Sequence, residues 1–245
     1  MRPVRRGASP QAVDFQDYAK ARPELISRLG LYCSYCERPI GNLPALEHVQ
    51  PKGGPHAHPD LEGRWENFLL ACGNCNSTKG AKEVVLARVL LPDRDNTFAA
   101  HTYLEDGAVV VAPGLSAAAT AAASATLDLV GLNKKIREQA NPNEAAVATD
   151  RAARRMHAWT TALESKVNVD STPGNQVVRD MTVSLATATG FFSIWMRVFA
   201  EDADMRRRLI EAFPGTQGSG CFDAQTGETV TPAPNPDGLS DGGKA

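Results

Sequence analysis

Four of the five cysteines stand in two pairs, Cys33-x-x-Cys36 and Cys72-x-x-Cys75, and Cys221 stands apart. One CxxC turn offers two thiolates from a single tight loop. Two such turns complete the four soft ligands that tetrahedral zinc takes. The opening, Met1 to Gly7, is basic and has no apolar run behind it, so a secretory signal is not expected. The expected location is the cytoplasm, where a reducing environment favours metal over disulfides for paired cysteines. With zinc on all four thiolates and no thioredoxin-like βαβ pattern around either pair, a redox role is disfavoured. Cys221 reads as a small buried hydrophobe.

The separation from Cys36 to Cys72 exceeds the roughly 15–20 residues that part the pairs of a simple zinc ribbon. Something is folded between the knuckles. That insert holds Leu46-Glu47-His48-Val49-Gln50-Pro51-Lys52, a glycine-rich loop, and Trp65-Glu66-Asn67-Phe68-Leu69-Leu70-Ala71. Neighbouring strand residues point to opposite faces, so Glu47 and His48 share a surface only where a strand bends or ends. Pro51 is consistent with such an ending. After the second knuckle, Asn76, Ser77 and Thr78 sit where a helix would begin, a place that favours anions. Lys52 and Lys79 are candidates for phosphate contact at the rim. His56 and His58 form an HxH that is open to two readings, a second metal pair or a flexible loop. His101, in the expected hairpin, and His157, in an expected helix, carry no assigned role.

Taken together, these motifs resemble the HNH family of ββα-metal nucleases, in the branch that carries a four-cysteine zinc. The matching positions are Glu47-His48 on the first strand, Asn67 before the second, and Asn76 at the helix, where Asn replaces the final His. The resemblance implies that Glu47 and Asn76 hold one magnesium or manganese ion through oxygen atoms. It implies that His48 is the general base for an attacking water. The metal would stabilise the scissile phosphate and the leaving oxygen. Asn67 would tie the loop backbone so that His48 points correctly. Cys33, Cys36, Cys72 and Cys75 would hold a structural zinc.

These residues need a scaffold, and 245 residues allow one moderate core plus a second small unit. The expected fold class is α+β: a zinc-stapled ββα-metal nuclease core followed by a mainly α-helical C-terminal region. Residues 1–92 would hold N-terminal helices and the nuclease core, and 93–225 a hairpin and helices. Residues 226–245 are glycine- and proline-rich and read as a disordered tail. Ser9-Pro10 reads as a helix start, and Pro23 to Leu29 as a short helix ended by Gly30. Asn76 to Leu91 reads as a helix start and an apolar segment ended by Pro92. Phe98 to Leu104 and Ala108 to Ala112 read as strands joined at Asp106-Gly107. Ala117 to Ala125 fits helix or linker. Further helices are expected over Ala125 to Gln139, Glu144 to Val167, Gln176 to Phe199 and Ala203 to Phe213.

Net charge is only −2, whereas a nuclease gripping DNA alone usually carries a basic excess. The first thirty residues lean basic through Arg2, Arg5, Arg6, Lys20, Arg22 and Arg28, which suggests a local basic face or a grip supplied by a partner. Arg206-Arg207-Arg208 is either a solvated helix face or a phosphate patch. No stretch reaches the roughly 20 apolar residues of a membrane span.

A second resemblance covers more of the chain. The opening Met1-Arg2-Pro3-Val4-Arg5-Arg6, Cys33-Ser34-Tyr35-Cys36-Glu37, the Glu47-His48 to Pro51-Lys52 element, Trp65-Glu66-Asn67, the Phe98 to Val111 hairpin and Leu129-Val130-Gly131-Leu132-Asn133 are similar to the HNH nucleases of Septu-type and retron-associated anti-phage systems. That similarity implies an ABC-type or SMC-like ATPase partner. Phe191, Phe192, Trp195 and Phe199 then read either as its docking face or as core. The rival functions are a free-standing HNH nickase or homing-type endonuclease, and a zinc-knuckle module that binds nucleic acid or protein without cutting. The last needs zinc but has no use for His48.

Overall fold

The computed structural model describes residues 1–41, 44–135 and 141–245. The expected helix residues from Ile136 to Gln139 lie outside the described residues. The first helix, α1 (Arg22–Leu29), has Pro23 in its first turn and ends at Gly30, whose φ of 73° suits a residue without Cβ. It buries Leu25 and Leu29, four residues apart on one face. Two short strands follow, β1 (Ala45–His48) and β2 (Phe68–Ala71), then α2 (Gly73–Lys79). The strands pair antiparallel with Glu47 opposite Leu69 and His48 opposite Phe68.

Beyond them, Asn96 caps a single turn, α3 (Thr97–Ala100), through its side-chain oxygen. Next come β3 (His101–Tyr103) and β4 (Val109–Val111), an antiparallel hairpin turning through Asp106-Gly107 as the sequence predicts. The helical part is α4 (Ala117–Val130), α5 (Pro142–Ser171), α6 (Gln176–Thr189), α7 (Phe192–Val198) and α8 (Ala203–Ala212). The alanine-rich stretch is thus helix: Ser116 caps it, alanine favours it, and left-handed Gly131 ends it.

Several expectations are corrected. Ser9-Pro10 starts no helix; Ser9 accepts only from the Gln11 amide at 3.3 Å, a local turn. Helix α2 begins at Gly73 rather than Asn76, because the Cys72 carbonyl already accepts from the Asn76 amide at 3.0 Å. It stops at Gly80, and only a 3₁₀ turn, Leu86–Arg88, follows before Pro92. Phe98 lies in a capped turn, not a strand. The helix expected from Gln176 to Phe199 is broken at Gly190, with φ 74°, and Phe191, with φ 56°. A Cβ at Gly190 would lie 2.6 Å from Pro39 Cδ and 2.8 Å from the Glu37 carbonyl oxygen. The break lets the first knuckle seat between the two helices.

The segment 226–245, expected to be disordered, folds back on the rest. Thr229 bridges Phe222, Asp237 pairs with Arg5 at 2.7 Å, and the Ala233 and Asn96 amides both donate to the Ala245 carbonyl. Local composition predicts disorder here because the partners lie far away in sequence. One cluster of buried side chains joins Leu25, Trp65 and Phe68 to Phe192, Trp195 and Phe213, so no break in the core falls at residue 92. The aromatics considered for docking are interior: Phe192, Trp195 and Phe199 are fully buried. No helix among the described residues is long and apolar enough to cross a membrane.

Candidate functional site

The first knuckle is a tight loop between Tyr32 and Pro39, which form a bridge. The Glu37 amide donates to the Cys33 carbonyl at 2.9 Å, and Glu37 takes a positive φ of 65° to close the turn. The second knuckle is the start of α2, with Cys72 as its N-cap and Cys75 in its first turn. The Ser34 amide donates to the Leu70 carbonyl at 2.8 Å, which lays the first knuckle against β2 and so beside the second. Cys33, Cys36, Cys72 and Cys75 are all buried, with their four sulfurs within 4.8 Å of one another and no disulfide formed. Cys36 Sγ and Cys72 Sγ are 3.7 Å apart. Tetrahedral geometry with arms near 2.3 Å places sulfurs about 3.8 Å apart. Donor type, number, burial and spacing therefore fit zinc, and the cluster could hold it. Hydrogen bonds accepted from the other three thiols push the Cys72 pKa down, while hydrogen bonds donated to Cys33, with burial, push Cys36 and Cys75 up.

Strand β1 ends at His48, so the two neighbouring side chains leave the strand into different surroundings. Glu47 points inward. Its Oε1 lies 2.8 Å from Lys79 Nζ and accepts from the Tyr35 hydroxyl at 3.4 Å. Lys79 Nζ also donates to the His48 carbonyl at 2.7 Å. Glu47 and Lys79 are each 2% exposed, which corrects the expectation that Lys79 stands at a rim for phosphate. A buried carboxylate is costly without a counter-charge, which Lys79 supplies here. Burial raises the Glu47 pKa, opposed by Lys79 and then Tyr35.

His48 is edge-on to Tyr18 at 4.9 Å and to Phe68 at 5.2 Å between ring centroids. Its Nε2 lies 2.9 Å from the Glu62 carbonyl oxygen. A carbonyl only accepts, so Nε2 carries the proton and neutral His48 keeps its lone pair on Nδ1. Burial is the main cause lowering the His48 pKa, which favours that neutral form. Lys52 sits over Tyr18 at 4.0 Å and pairs with Glu62 at 2.7 Å, at the exposed edge of this group.

Asn67 is buried between the strands and the loop. Its Oδ1 accepts from the Gln50 amide at 2.7 Å, and its Nδ2 donates to the Gln50 and Leu61 carbonyls at 2.9 and 3.2 Å. It fixes the chain just beyond His48 and just before Glu62, the two ends of the His48 contact. Asn76 is half-buried on α2, three residues before Lys79 and so on the same helix face. Since Lys79 reaches Glu47, that face looks toward β1.

Other candidates resolve plainly. His58 Nε2 lies 3.5 Å from Gln50 Nε2, and among the described residues neither His56 nor His58 joins a group of three or more metal-ligating side chains. Cys221 is buried, which lifts its thiol to about 11. Arg206, Arg207 and Arg208 pair with Glu228, Asp204 and Asp180, as a solvated helix face does. Two cations of the basic opening, Arg2 and Arg6, are internal. Arg2 donates to the Leu29 carbonyl and Thr216, and Arg6 to Asp93 and to the Glu66 and Phe68 carbonyls. Arg5 and Lys20 are exposed, and Arg22 and Arg28 are half-buried. Sequence reading missed the buried Arg151 and Arg155 beside the cysteines; Arg151 Nη2 lies 3.6 Å from Cys75 Sγ. A signal was there, since both arginines fall in phase with the buried small-residue stripe Ala148, Ala158, Ala162 and Ser165 of α5.

No protein-family model and no curated protein matches this chain.

Proposed function

We propose that this protein is a metal-dependent HNH endonuclease that hydrolyses phosphodiester bonds of DNA, with zinc as a structural staple. The observation that carries this reading is the brace around His48. Asn67 fixes both ends of the loop, the Glu62 carbonyl fixes the tautomer, and Nδ1 is left as the free base. The buried His101 differs, with carbonyls within hydrogen-bonding distance of both ring nitrogens, Thr97 at 2.9 Å and Ala123 at 3.1 Å. The succession β1, β2, α2, with the two strands between the cysteine knuckles and α2 opening in the second, supports the same reading.

In this reading Glu47 and Asn76 hold a magnesium or manganese ion. One carboxylate and one amide oxygen are hard donors, and such ions complete their shell with water and substrate phosphate. The bound ion supplies charge stabilisation to the scissile phosphate and the leaving oxygen. Lys79, which pairs with Glu47 at 2.8 Å, would have to share that carboxylate with such an ion. His48 Nδ1 takes the proton from the attacking water. Lys52 meets a neighbouring phosphate. The lowered His48 pKa keeps the base free at neutral pH. Cutting is therefore expected to fall only as pH drops below the ordinary histidine range near 6.5.

The resemblance to Septu-type and retron-associated nucleases leads us to place this activity in anti-phage defence with an ABC-type or SMC-like ATPase partner. The inward use of Arg2 and Arg6 leaves fewer N-terminal cations for DNA and supports a grip supplied in part from outside this chain. The buried Glu47–Lys79 pair favours a second reading, a zinc-knuckle binding module that does not cut. Supercoiled plasmid incubated with magnesium or manganese, with and without chelator and with and without a co-encoded ATPase, separates them. Metal-dependent nicking supports the nuclease. Binding without cutting under every condition supports the module.

A further inference from the structure

Four thiolates around one divalent cation leave a dianion. Inside a protein such a group needs counter-charge close by. Two guanidinium groups of α5 lie against the cysteine cluster. Arg151 Nη2 is 3.6 Å from Cys75 Sγ, and its Nη1 donates to the Gly131 carbonyl. Arg155 is 4% exposed and lines a small cavity together with Cys36, Arg38 and Phe191. The charged or titratable groups acting on it are Tyr103, Cys36, Arg151 and Cys75. The Nε atoms of both arginines are buried with no hydrogen-bond partner among the described residues. Asp150, on the same helix, pairs with Arg38 at 3.0 Å and with Arg154 at 2.7 Å instead. Two buried cations thus face four sulfurs. With thiols there, no carboxylate among the described residues pairs with either; with a zinc-bound thiolate cluster, they are matched in charge.

We propose that Arg151 and Arg155 are the built-in counter-cations of the four-cysteine centre, so that metal loading and the docking of α5 onto the knuckles are one coupled event. The coupling runs both ways: the arginines tighten zinc, and zinc holds the helix. The inference rests on the cysteine cluster alone and stands whether or not the protein cuts DNA. Other contacts place the first knuckle firmly in this helical setting, since Glu37 accepts from the Ser193 amide at 2.7 Å and from its hydroxyl at 2.6 Å.

The test is zinc affinity of the full chain by competition with a chromophoric chelator, for the parent and for Arg151→Met, Arg155→Met and Arg155→Lys. Losing a residue that supports metal ligands typically weakens metal binding about 10–100-fold, and that loss is expected for each Met variant, with Lys restoring most of it at position 155. A second measurement needs no variant. Hydrogen exchange of the parent with and without bound zinc should show the amides around Arg151 to Arg155 losing protection together with the knuckles. The proposal is overturned by Met variants that bind zinc as tightly as the parent, by a Lys variant as weak as Met, or by α5 amides that stay protected when zinc is removed.

Discussion

The four cysteines, on the first knuckle loop and the start of α2, and the Glu47–His48 pair, on the adjacent β1, are carried by neighbouring short elements, yet their side chains end in different company. The sulfurs converge on one another, as four donors that could hold a single ion. Glu47 already has a protein partner, Lys79 at 2.8 Å, and His48 is held by a carbonyl and two rings. A site of the first kind is defined by ligand type and spacing. A site of the second kind is defined by which buried neighbours reach it, and its chemistry depends on displacing or using them.

Breaking the sulfur site should have the largest effect. Cys36→Ser or Cys72→Ser removes one ligand of a centre whose apparent zinc binding energy is of order 10–16 kcal/mol in small domains. Because one core runs from Leu25 to Phe213, loss of zinc is expected to lower melting of the whole chain rather than of the knuckles alone. Zinc content and thermal melting measured together check this; a serine variant with full zinc and parental melting would remove the staple.

The Glu47 site should respond differently to its two partners. Lys79→Ala leaves a buried carboxylate without its cation, and a loss of about 3–5 kcal/mol is expected in denaturant unfolding. Replacing both, Glu47→Leu with Lys79→Met, should recover much of that loss, because no charge is then stranded. A double variant as unstable as Lys79→Ala would mean that the pair itself holds the strands together.

Asn67→Ala should cost less, about 1–3 kcal/mol, since it strands polar backbone groups at Gln50 and Leu61. Its sharper consequence is positional. The loop should loosen while zinc content stays unchanged, which hydrogen exchange at Gln50 and Leu61 would reveal. Loss of zinc in this variant would show that the two sites are not separable.

The sequence carried the sulfur site almost whole, because CxxC spacing leaves little choice about where the thiols go. It also carried the hairpin at Asp106-Gly107 and the bracing amide of Asn67, which act through neighbours in sequence or in register. It did not carry Lys79's burial. Nothing near Lys79 in sequence shows that Glu47, across a strand, would take it in. The fold-back of residues 226–245 was hidden for the same reason, since Arg5 and Asn96 lie far away in the chain. The break at Gly190, inside the stretch expected to be one helix, is set by Pro39 and Glu37, which pack against it from far away in the chain. In each case the missing information was a long-range contact rather than a local preference.

The most direct measurement compares the protein with His48→Ala at matched zinc content, on supercoiled plasmid with manganese or magnesium and with any co-encoded ATPase present. The expected result is that the variant melts close to the parent and keeps its zinc while metal-dependent cutting disappears. Equal cutting by parent and variant, or a well-folded parent that binds plasmid and never cuts it, would contradict the assignment of His48 as the base of a nuclease.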